Sequence, residues 1–219
     1  AVNTASGSIT PAALTLTAAP DSRTYDTTTA SAASVAVAGL QGADTISALS
    51  QSFDSANAGA RTLNVDPGFT VNDGNGGGNY TVFTNAASGT IIPAALTVSA
   101  NGLTATYNAS AFSGGNGVTY AGFVNGETAA VLGGTLTYSG TSQGAINAGA
   151  YAITPGGLTS GNYALSFVDG LLTINPAALL LSASSDSRGY DATTASAGTI
   201  GVAGLQGSDT ITGLAQVFD

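Results

Sequence analysis

The sequence contains no cysteine, histidine, methionine, tryptophan or lysine, and its only cations are Arg23, Arg61 and Arg188. The absence of cysteine excludes disulfides, so secretion has to be argued from other features. Histidine, cysteine and lysine supply many of the general bases and nucleophiles of enzymes, so their absence argues against an enzyme. We therefore expect no catalysis and no cofactor.

Charge of either sign is scarce, at 7% of the residues against about a quarter in ordinary soluble domains. Twelve acidic residues against three arginines give a net charge of −9. Such a chain offers no basic surface for nucleic acid or for an anionic membrane. Its apolar runs, such as 35–38 and 177–181, are too short to span a bilayer. We expect neither nucleic-acid binding nor membrane insertion.

The tetrapeptide Pro-Ala-Ala-Leu occurs three times, beginning at Pro11, Pro93 and Pro176. Successive copies are offset by 82 and then by 83 in residue number, and each copy stands between two short strand-like runs. Proline cannot donate a hydrogen bond to a sheet, and it restricts the preceding residue to extended geometry. Each copy therefore predicts a short, stiff joint between two modules.

A longer period accompanies this spacing. Segment 13–54 realigns on segment 178–219 without gaps, at an offset of 165 in residue number, with 27 of 42 positions identical. Self-similarity over such a period is typical of a tandem array of globular modules. The sequence is accordingly expected to be a piece of a longer array. We predict four parts: 1–11 as the last strand of a preceding module, 12–93 and 94–176 as complete β modules, and 177–219 as the first half of a further module.

Strands are predicted throughout, because apolar and polar residues alternate and no window shows a helical period. The expected fold class is all-β, with tandem small antiparallel β-sandwich modules of the Ig-like kind in an extended array; β-grasp-like modules are the alternative. The clearest predicted element is a hairpin of 163–168 and 171–174, because Asp169-Gly170 is a favoured two-residue hairpin turn. A similar hairpin with a longer tip is predicted for 79–84 and 89–92.

Two ordered series of short motifs carry a family resemblance. The first module contains Ser22–Ala30, Gly42–Asp44, Asn57–Gly59 and Gly78–Tyr80. The second module contains Leu103–Tyr107, Val124–Glu127, Asn147–Tyr151 and Asn162–Ile174. These motifs resemble the YDG and MBG (YGX-type) repeats of large secreted bacterial proteins of the filamentous-haemagglutinin type. The sequence departs from the family pattern where Thr27, Ala192 and Asn108 each stand in place of a glycine.

The resemblance implies a structural repeat, or stalk, segment of a large bacterial surface adhesin or biofilm-matrix fibre. It implies an extracellular or cell-surface location and no catalytic residues. One alternative is a self-assembling filament subunit joined by β-strand addition, and another is a carbohydrate- or matrix-binding module. The expected partners are neighbouring repeats of the same chain. Further candidates are other copies of the chain in a fibre, extracellular polysaccharide, and a host or cell surface.

The carboxylates offer few candidate sites. Segment 73–79 is the nearest approach to a calcium loop, but its single carboxylate favours a glycine-rich hairpin tip over a metal site. Turn capping is favoured over a metal for the aspartates, with an Arg–Asp pair at the interdomain joint as the alternative. The acidic and basic residues that recur in register are Asp26, Asp44, Asp191 and Asp209, with Arg23 and Arg188.

Tyrosines recur in register as well, at Tyr25, Tyr107 and Tyr190. A buried ring whose hydroxyl bonds to backbone is favoured over a sugar-stacking platform. A glycosidase pair of Asp66 with Asp73 or Glu127 is disfavoured, because these residues lie in glycine- and asparagine-rich turns. The glycine-rich stretches 74–78 and 114–117 lack the lysine of a phosphate-binding loop. No catalytic, cofactor-binding or metal-binding residue is therefore assigned.

Overall fold

The structure, a computed structural model, describes residues 6–219. In this range the regular structure is β-strand apart from one 3₁₀ turn at Ala129–Val131, which confirms the all-β class. The first nine strands are β1 (Ala12–Thr17), β2 (Asp21–Thr24), β3 (Ala36–Ala38), β4 (Thr45–Ser47), β5 (Gln51–Phe53), β6 (Gly59–Val65), β7 (Thr70–Asn72), β8 (Tyr80–Asn85) and β9 (Ala87–Ile92). The next nine are β10 (Ala94–Ala100), β11 (Leu103–Thr106), β12 (Val118–Ala121), β13 (Gly133–Ser139), β14 (Gly149–Thr159), β15 (Tyr163–Val168), β16 (Gly170–Asn175), β17 (Leu180–Ala183) and β18 (Ile200–Ala203).

The chain divides into two compact units. The first holds the residues up to Leu96 together with Gly122–Leu132 and Thr159–Leu165. The second holds Thr97–Ala121, Gly133–Leu158 and Ser166–Asp219. The strand predicted for 1–11 lies partly outside the described residues, and positions 6–11 carry no strand. The part of the chain that the structure describes contains no helix with the length and apolar character needed to cross a membrane.

The first nine strands form two sheets and a two-stranded ribbon. The strand orders of the sheets are β3-β1-β8 and β2-β9-β6-β5, and the ribbon pairs β4 with β7. β1 runs parallel to β8, from Ala12 opposite Tyr80 to Thr17 opposite Asn85. β2 likewise runs parallel to β9. The chain therefore passes directly from one sheet to the other between β1 and β2, between β2 and β3, and between β8 and β9.

A buried glutamine fixes the first of these passages. The amide oxygen of Gln51 accepts from the backbone N–H of Ala19 at 2.7 Å, and its nitrogen donates to the Ala19 carbonyl at 2.8 Å. The same nitrogen donates to Ser31 Oγ at 3.0 Å. A buried amide has to find such partners, so Gln51 ties the backbone between β1 and β2 to β5. Gln216, which stands at the equivalent position of the long repeat, donates to the Ser184 carbonyl at 3.0 Å in the same manner.

Residues 94–176 repeat this strand order. Their sheets run β12-β10-β15 and β11-β16-β14-β13, and further along the chain β17 pairs with β18. The register also repeats, since Leu180 lies opposite Ala203 just as their equivalents in the long repeat, Thr15 and Ala38, lie opposite each other. The match of strand orders supports the view that the modules are diverged copies of one fold.

Both predicted hairpins are wrong. β15 and β16 belong to different sheets, and so do β8 and β9. Neither Asp169 nor Gly170 has the positive φ that the favoured Asp-Gly hairpin turn requires. The glycine is needed for a different reason, because a Cβ at Gly170 would lie 2.7 Å from the carbonyl oxygen of Ala100. Asp-Gly therefore marks the passage between two sheets.

The prediction of purely antiparallel modules is also wrong. β1 and β2 pair in parallel with β8 and β9, and β11 pairs in parallel with β16. Alternation of side chains reports the two faces of a strand and carries no information on strand direction. Parallel pairing needs a long connection between the strands, and the six strands β2 to β7 all lie between β1 and β8.

Each unit has its own hydrophobic cluster. Leu14 and Leu16 alternate along β1 and are fully buried, as expected for a strand with one face in the core. The buried members of the first cluster are Leu14, Leu16, Val71 and Tyr80. The buried members of the second cluster are Ala100, Ala145, Ile153, Leu172 and Ile174.

A recurring glycine packs against each Pro-Ala-Ala-Leu joint. Gly39, Gly122 and Gly204 have φ values of +103°, +120° and +104°, in the region that favours glycine. A Cβ built on any of the three would overlap a backbone carbonyl oxygen of the second alanine of the joint. These oxygens belong, in the same order, to Ala13, Ala95 and Ala178.

Candidate functional site

Glu127 joins two tyrosines that are distant from each other in the sequence. Tyr25 follows β2 and donates its hydroxyl to Glu127 Oε1 at 2.9 Å. Tyr163 begins β15 and donates its hydroxyl to Glu127 Oε2 at 2.5 Å. Both tyrosines are buried and the glutamate is half-buried. Each carboxylate oxygen therefore accepts one phenol, and we call this cluster the first junction.

Aromatic packing supports the first junction. The rings of Tyr25 and Tyr163 meet edge to face, with centroids 5.5 Å apart and planes at 79°. Phe123 meets the Tyr163 ring in the same way at 5.4 Å and 83°. Such geometry places the positive edge of one ring over the negative face of the other. The two phenols are thus positioned by packing as well as by the shared carboxylate.

Backbone and amide contacts surround the first junction. The side-chain oxygen of Asn162 accepts from the backbone N–H of Ala58 at 2.9 Å, and its nitrogen donates to Asn57 Oδ1 at 3.1 Å. Asn125 donates to Thr27 Oγ1 at 2.7 Å. Thr27 is a threonine with φ of +73°, at one of the positions where the family pattern has glycine. The recurring motifs around 25, 57, 125 and 162 therefore meet at one place.

A second junction repeats the pattern in the other unit. Tyr107 donates its hydroxyl to Asp209 Oδ2 at 2.9 Å. The sequence separation is 102 residues, the same as between Tyr25 and Glu127. The backbone N–H groups of Tyr25 and Tyr107 both donate, at 2.8 Å, to carbonyls of the strand alongside, which are those of Ile92 and Asn175. The two contacts are therefore equivalent in sequence and in geometry.

Asp44 and Glu127 each accept a hydrogen bond from a tyrosine of the same module. The Tyr80 hydroxyl donates to Asp44 Oδ2 at 2.6 Å and accepts from the backbone N–H of Gln41 at 2.8 Å. The Tyr163 hydroxyl accepts from the backbone N–H of Val124 at 3.1 Å and donates to Glu127. A tyrosine after a Gly-Asn pair thus orients an acidic residue 36 positions earlier in both modules.

The pKa values of four tyrosines are raised above the ordinary value near 10. Burial raises the pKa of Tyr25 and of Tyr163, and the hydrogen bond that each donates to Glu127 adds to the effect. The hydrogen bond to Asp44 is the main cause of the raised pKa of Tyr80, and the bond to Asp209 is the main cause for Tyr107. In all four, a nearby carboxylate favours the neutral phenol.

Alkaline pH is expected to destabilise the protein. A phenol whose folded pKa lies above its unfolded value stabilises the fold fully below about pH 10, and this stabilisation is lost as the pH rises through the folded value. We expect the urea midpoint to change little from about pH 7 to 9 and to fall above about pH 10. Tyr25→Phe removes one shifted phenol, so its decline at high pH should be shallower. Identical slopes for the two proteins would contradict a role for Tyr25 in this pH dependence.

The structure corrects the prediction for the recurring tyrosines. Their hydroxyls were expected to bond to backbone, whereas Tyr25 and Tyr107 donate to carboxylates. The rings also differ in exposure, since Tyr25 is 5% exposed and Tyr190 is 98% exposed. The expected burial of the ring is therefore found for Tyr25 and is wrong for Tyr190.

Sequence reasoning missed the junctions because Glu127 stands where the other modules have aspartate. The available signal was its position in the chain. Glu127 lies 83 positions after Asp44 and 82 positions before Asp209, each within one position of the corresponding spacing of the Pro-Ala-Ala-Leu copies. The three acidic residues therefore form one series, and a search by position would have found it.

The other recurring charges serve two different local purposes. Asp26 Oδ1 accepts from the backbone N–H of Thr28 at 2.9 Å and pairs with Arg23, three positions earlier. Asp191 repeats this arrangement and lies 3.0 Å from Arg188. The turn-capping interpretation therefore holds for Asp26 and Asp191 and is wrong for Asp44 and Asp209. Each Arg–Asp pair joins residues three positions apart, so the alternative of a pair at an interdomain joint is wrong.

Asp73 and Asp66 accept hydrogen bonds from groups close to them in the fold. Asp73 accepts from the backbone N–H groups of Asn75 and Gly77, both at 2.8 Å, and these bonds lower its pKa. Asp66 accepts from Ser50 at 2.8 Å and from Ser52 at 2.5 Å. Within residues 6–219, no three acidic side chains gather in an arrangement that could hold a metal.

Comparison with known families connects these residues to two domain types. Residues 10–89 match the family model of the YDG domain, and residues 96–173 match that of the MBG domain (YGX type). The chain contains a YDG domain and an MBG domain. Tyr25 of the YDG domain thus contacts Glu127 of the MBG domain, and Tyr107 of the MBG domain contacts Asp209 in the segment that repeats 13–54. No curated protein and no solved structure matches the chain significantly.

Proposed function

We propose that this chain is a structural repeat segment, or stalk, of a large secreted bacterial surface adhesin or biofilm-matrix fibre of the filamentous-haemagglutinin type, without catalysis. The observation that carries the proposal is the recurrence of one contact at two successive module boundaries. A tyrosine of one module donates to the carboxylate of the following module, with the same separation of 102 residues each time. A repeated contact of this kind suits an array whose stability adds through nearest neighbours.

The composition agrees with an extracellular structural role. The chain has few charges and no cysteine, and it has many hydroxyl and amide side chains. It therefore has no basic surface of the kind that binds nucleic acid. The carboxylates considered for catalysis are bonded to neighbouring groups, Asp66 to two serines and Glu127 to two tyrosines. The partners proposed for the chain are its own neighbouring repeats.

We also propose that each module is a small β-sandwich. Two sheets with strands that pass from one to the other are typical of such folds. The β-grasp alternative needs a helix packed on the sheet, and within residues 6–219 the helical structure is the turn Ala129–Val131.

A filament subunit is the second candidate function, and an exposed strand favours it. β17 carries apolar side chains that are open to solvent, with Leu180 63% exposed. In the described residues β17 pairs only with β18, so its other edge is open. An open edge of this kind can accept a strand from another chain.

Light scattering over a concentration series distinguishes the two functions. A stalk segment is expected to keep the mass of one chain, 21.0 kDa, at every concentration. A filament subunit should grow into regular fibres, and both deletion of 1–10 and the edge charge in Leu180→Lys should reduce that growth. Fibre growth that these changes reduce would overturn the stalk proposal.

A further inference from the structure

Tyr190 and Asp44 each carry one half of the junction contact. Tyr190 is equivalent to Tyr25 and Tyr107 in the register of the repeats. Tyr25 is 5% exposed because Tyr163 and Glu127 cover it, whereas Tyr190 is 98% exposed. Leaving a large aromatic ring in water is costly. Two equivalent tyrosines of one chain are therefore buried in one case and exposed in the other.

Asp44 carries the complementary half. It is equivalent to Glu127, which accepts two phenols, and in the described residues Asp44 accepts only the phenol of Tyr80, through Oδ2. Asp209, equivalent to Asp44, accepts the phenol of Tyr107. The second oxygen of Asp44 is thus the counterpart of an oxygen that is bonded at the first junction.

A cavity near Asp44 shares part of its lining with the second junction. Pro11, Ala12 and Gln41 line a cavity of about 420 Å³, and the Gln41 carbonyl accepts from the backbone N–H of Asp44 at 3.1 Å. The equivalents of these lining residues in the long repeat surround the hollow at the second junction, together with Tyr107 and Asp209. They are Pro176, Ala177 and Gln206. Three equivalent residues therefore line both cavities, and at the second junction a tyrosine from the neighbouring module lines the cavity as well.

We propose that both halves are docking sites for an MBG-type domain placed in tandem. Tyr190 would donate to the glutamate of a following MBG domain, as Tyr25 donates to Glu127. Asp44 would accept from the tyrosine of a preceding MBG domain, as Asp209 accepts from Tyr107. The order of domains is then set by the junction itself, since the YDG tyrosine meets a glutamate and the MBG tyrosine meets an aspartate. This inference deepens the proposed stalk function and rests on it.

An extended chain tests the Tyr190 half. Asp219 is equivalent to Asp54, so residues 55–219 can be appended after Asp219 in the register of the repeat. The glutamate of the added MBG domain then follows Tyr190 at the separation found between Tyr25 and Glu127. We expect the rate of Tyr190 nitration by tetranitromethane, followed by peptide mass spectrometry, to fall at least tenfold on extension. Replacing Glu127 of the added copy with glutamine should restore part of the reactivity, and Tyr25 provides the covered control in both chains.

A second extension tests the Asp44 half independently. Placing residues 1–165 before Ala1 puts an MBG tyrosine ahead of Asp44 at the separation found between Tyr107 and Asp209. That tyrosine should be protected from nitration, and Asp44→Ala should raise its nitration rate at least fivefold. If both extended chains are folded and monomeric and the tyrosines react as fast as free tyrosine, the docking inference is wrong and the stalk proposal stands. If the extended chains assemble into fibres, the stalk proposal itself fails.

Discussion

Replacing Gly39 with alanine is expected to lower the free energy of unfolding by about 4 kcal/mol, among the largest effects of single substitutions. The glycine has a φ of +103°, which an alanine adopts only with strain. The new Cβ would in addition overlap the carbonyl oxygen of Ala13, a backbone atom in the middle of a paired strand. Relief of the overlap has to separate β1 from β3, which would open the cluster around Leu14. Urea unfolding followed by circular dichroism measures the effect.

Gly42 provides the matched control for this substitution. Its φ is +56°, and a Cβ at this position meets no atom within 4 Å. Gly42→Ala should therefore cost only the left-handed conformation, about 1 to 2 kcal/mol. If the two alanine variants unfold at the same urea concentration, the overlap with Ala13 does not exist in solution.

Replacing Glu127 with alanine is expected to lower the free energy of unfolding by about 3 kcal/mol, because two buried phenols each lose a charged acceptor. Tyr25 and Tyr163 have no other acceptor for these protons among their described contacts. Tyr163 would keep its bond from the backbone N–H of Val124, which limits the loss on that side. Urea unfolding at neutral pH and the change in tyrosine fluorescence measure the effect.

Two further variants make this prediction specific. Glu127→Gln keeps one acceptor oxygen in the same place, so we expect it to lose about half as much stability as the alanine variant. Asp54→Ala removes a carboxylate that is exposed, and its effect should lie within about 0.5 kcal/mol of zero. A loss for Glu127→Ala no larger than that of Asp54→Ala would mean that the junction adds nothing to stability.

The repeats were predictable because they are written in identical residues. The even spacing of Pro-Ala-Ala-Leu and the gapless realignment of 13–54 on 178–219 predicted modules whose strand orders turn out to match. The all-β class followed from alternation and composition. The glycine contact at the joint was not predictable. Gly39, which packs on Ala13, follows β3, and only the folded backbone brings the two residues together.

The pairing of strands was the weakest part of the sequence interpretation. Asp169-Gly170 has the composition of a hairpin turn, yet β15 and β16 separate into two sheets there. Local turn preference was overruled by the pairing of β15 with β10 and of β16 with β11, the first two strands of the module. A glycine is needed at this position because a Cβ would be too close to the carbonyl oxygen of Ala100. This close approach arises only in the folded chain, so the local sequence does not predict it.

The sequence showed which residues of the junctions are equivalent, but it did not show which of them are in contact. The tyrosines were recognised as equivalent, and so were Asp44 and Asp209, but the link between Tyr25 and Glu127 spans 102 residues. Glu127 was not recognised as the equivalent of Asp44 and Asp209 because it is a glutamate and they are aspartates. Spacing alone would have placed Glu127 in line with the two aspartates.

The parallel pairing of β1 with β8 and of β2 with β9 decides how the YDG domain bears tension. The chain enters at Ala12, the first residue of the ladder of β1 with β8, and leaves at Ile92, the last residue of the ladder of β2 with β9. A pull on both points slides β1 and β2 lengthwise past β8 and β9. The ladder bonds cross the direction of pulling, so they are loaded in shear and have to break together. A hairpin in the same position would have opened like a zipper, one bond at a time.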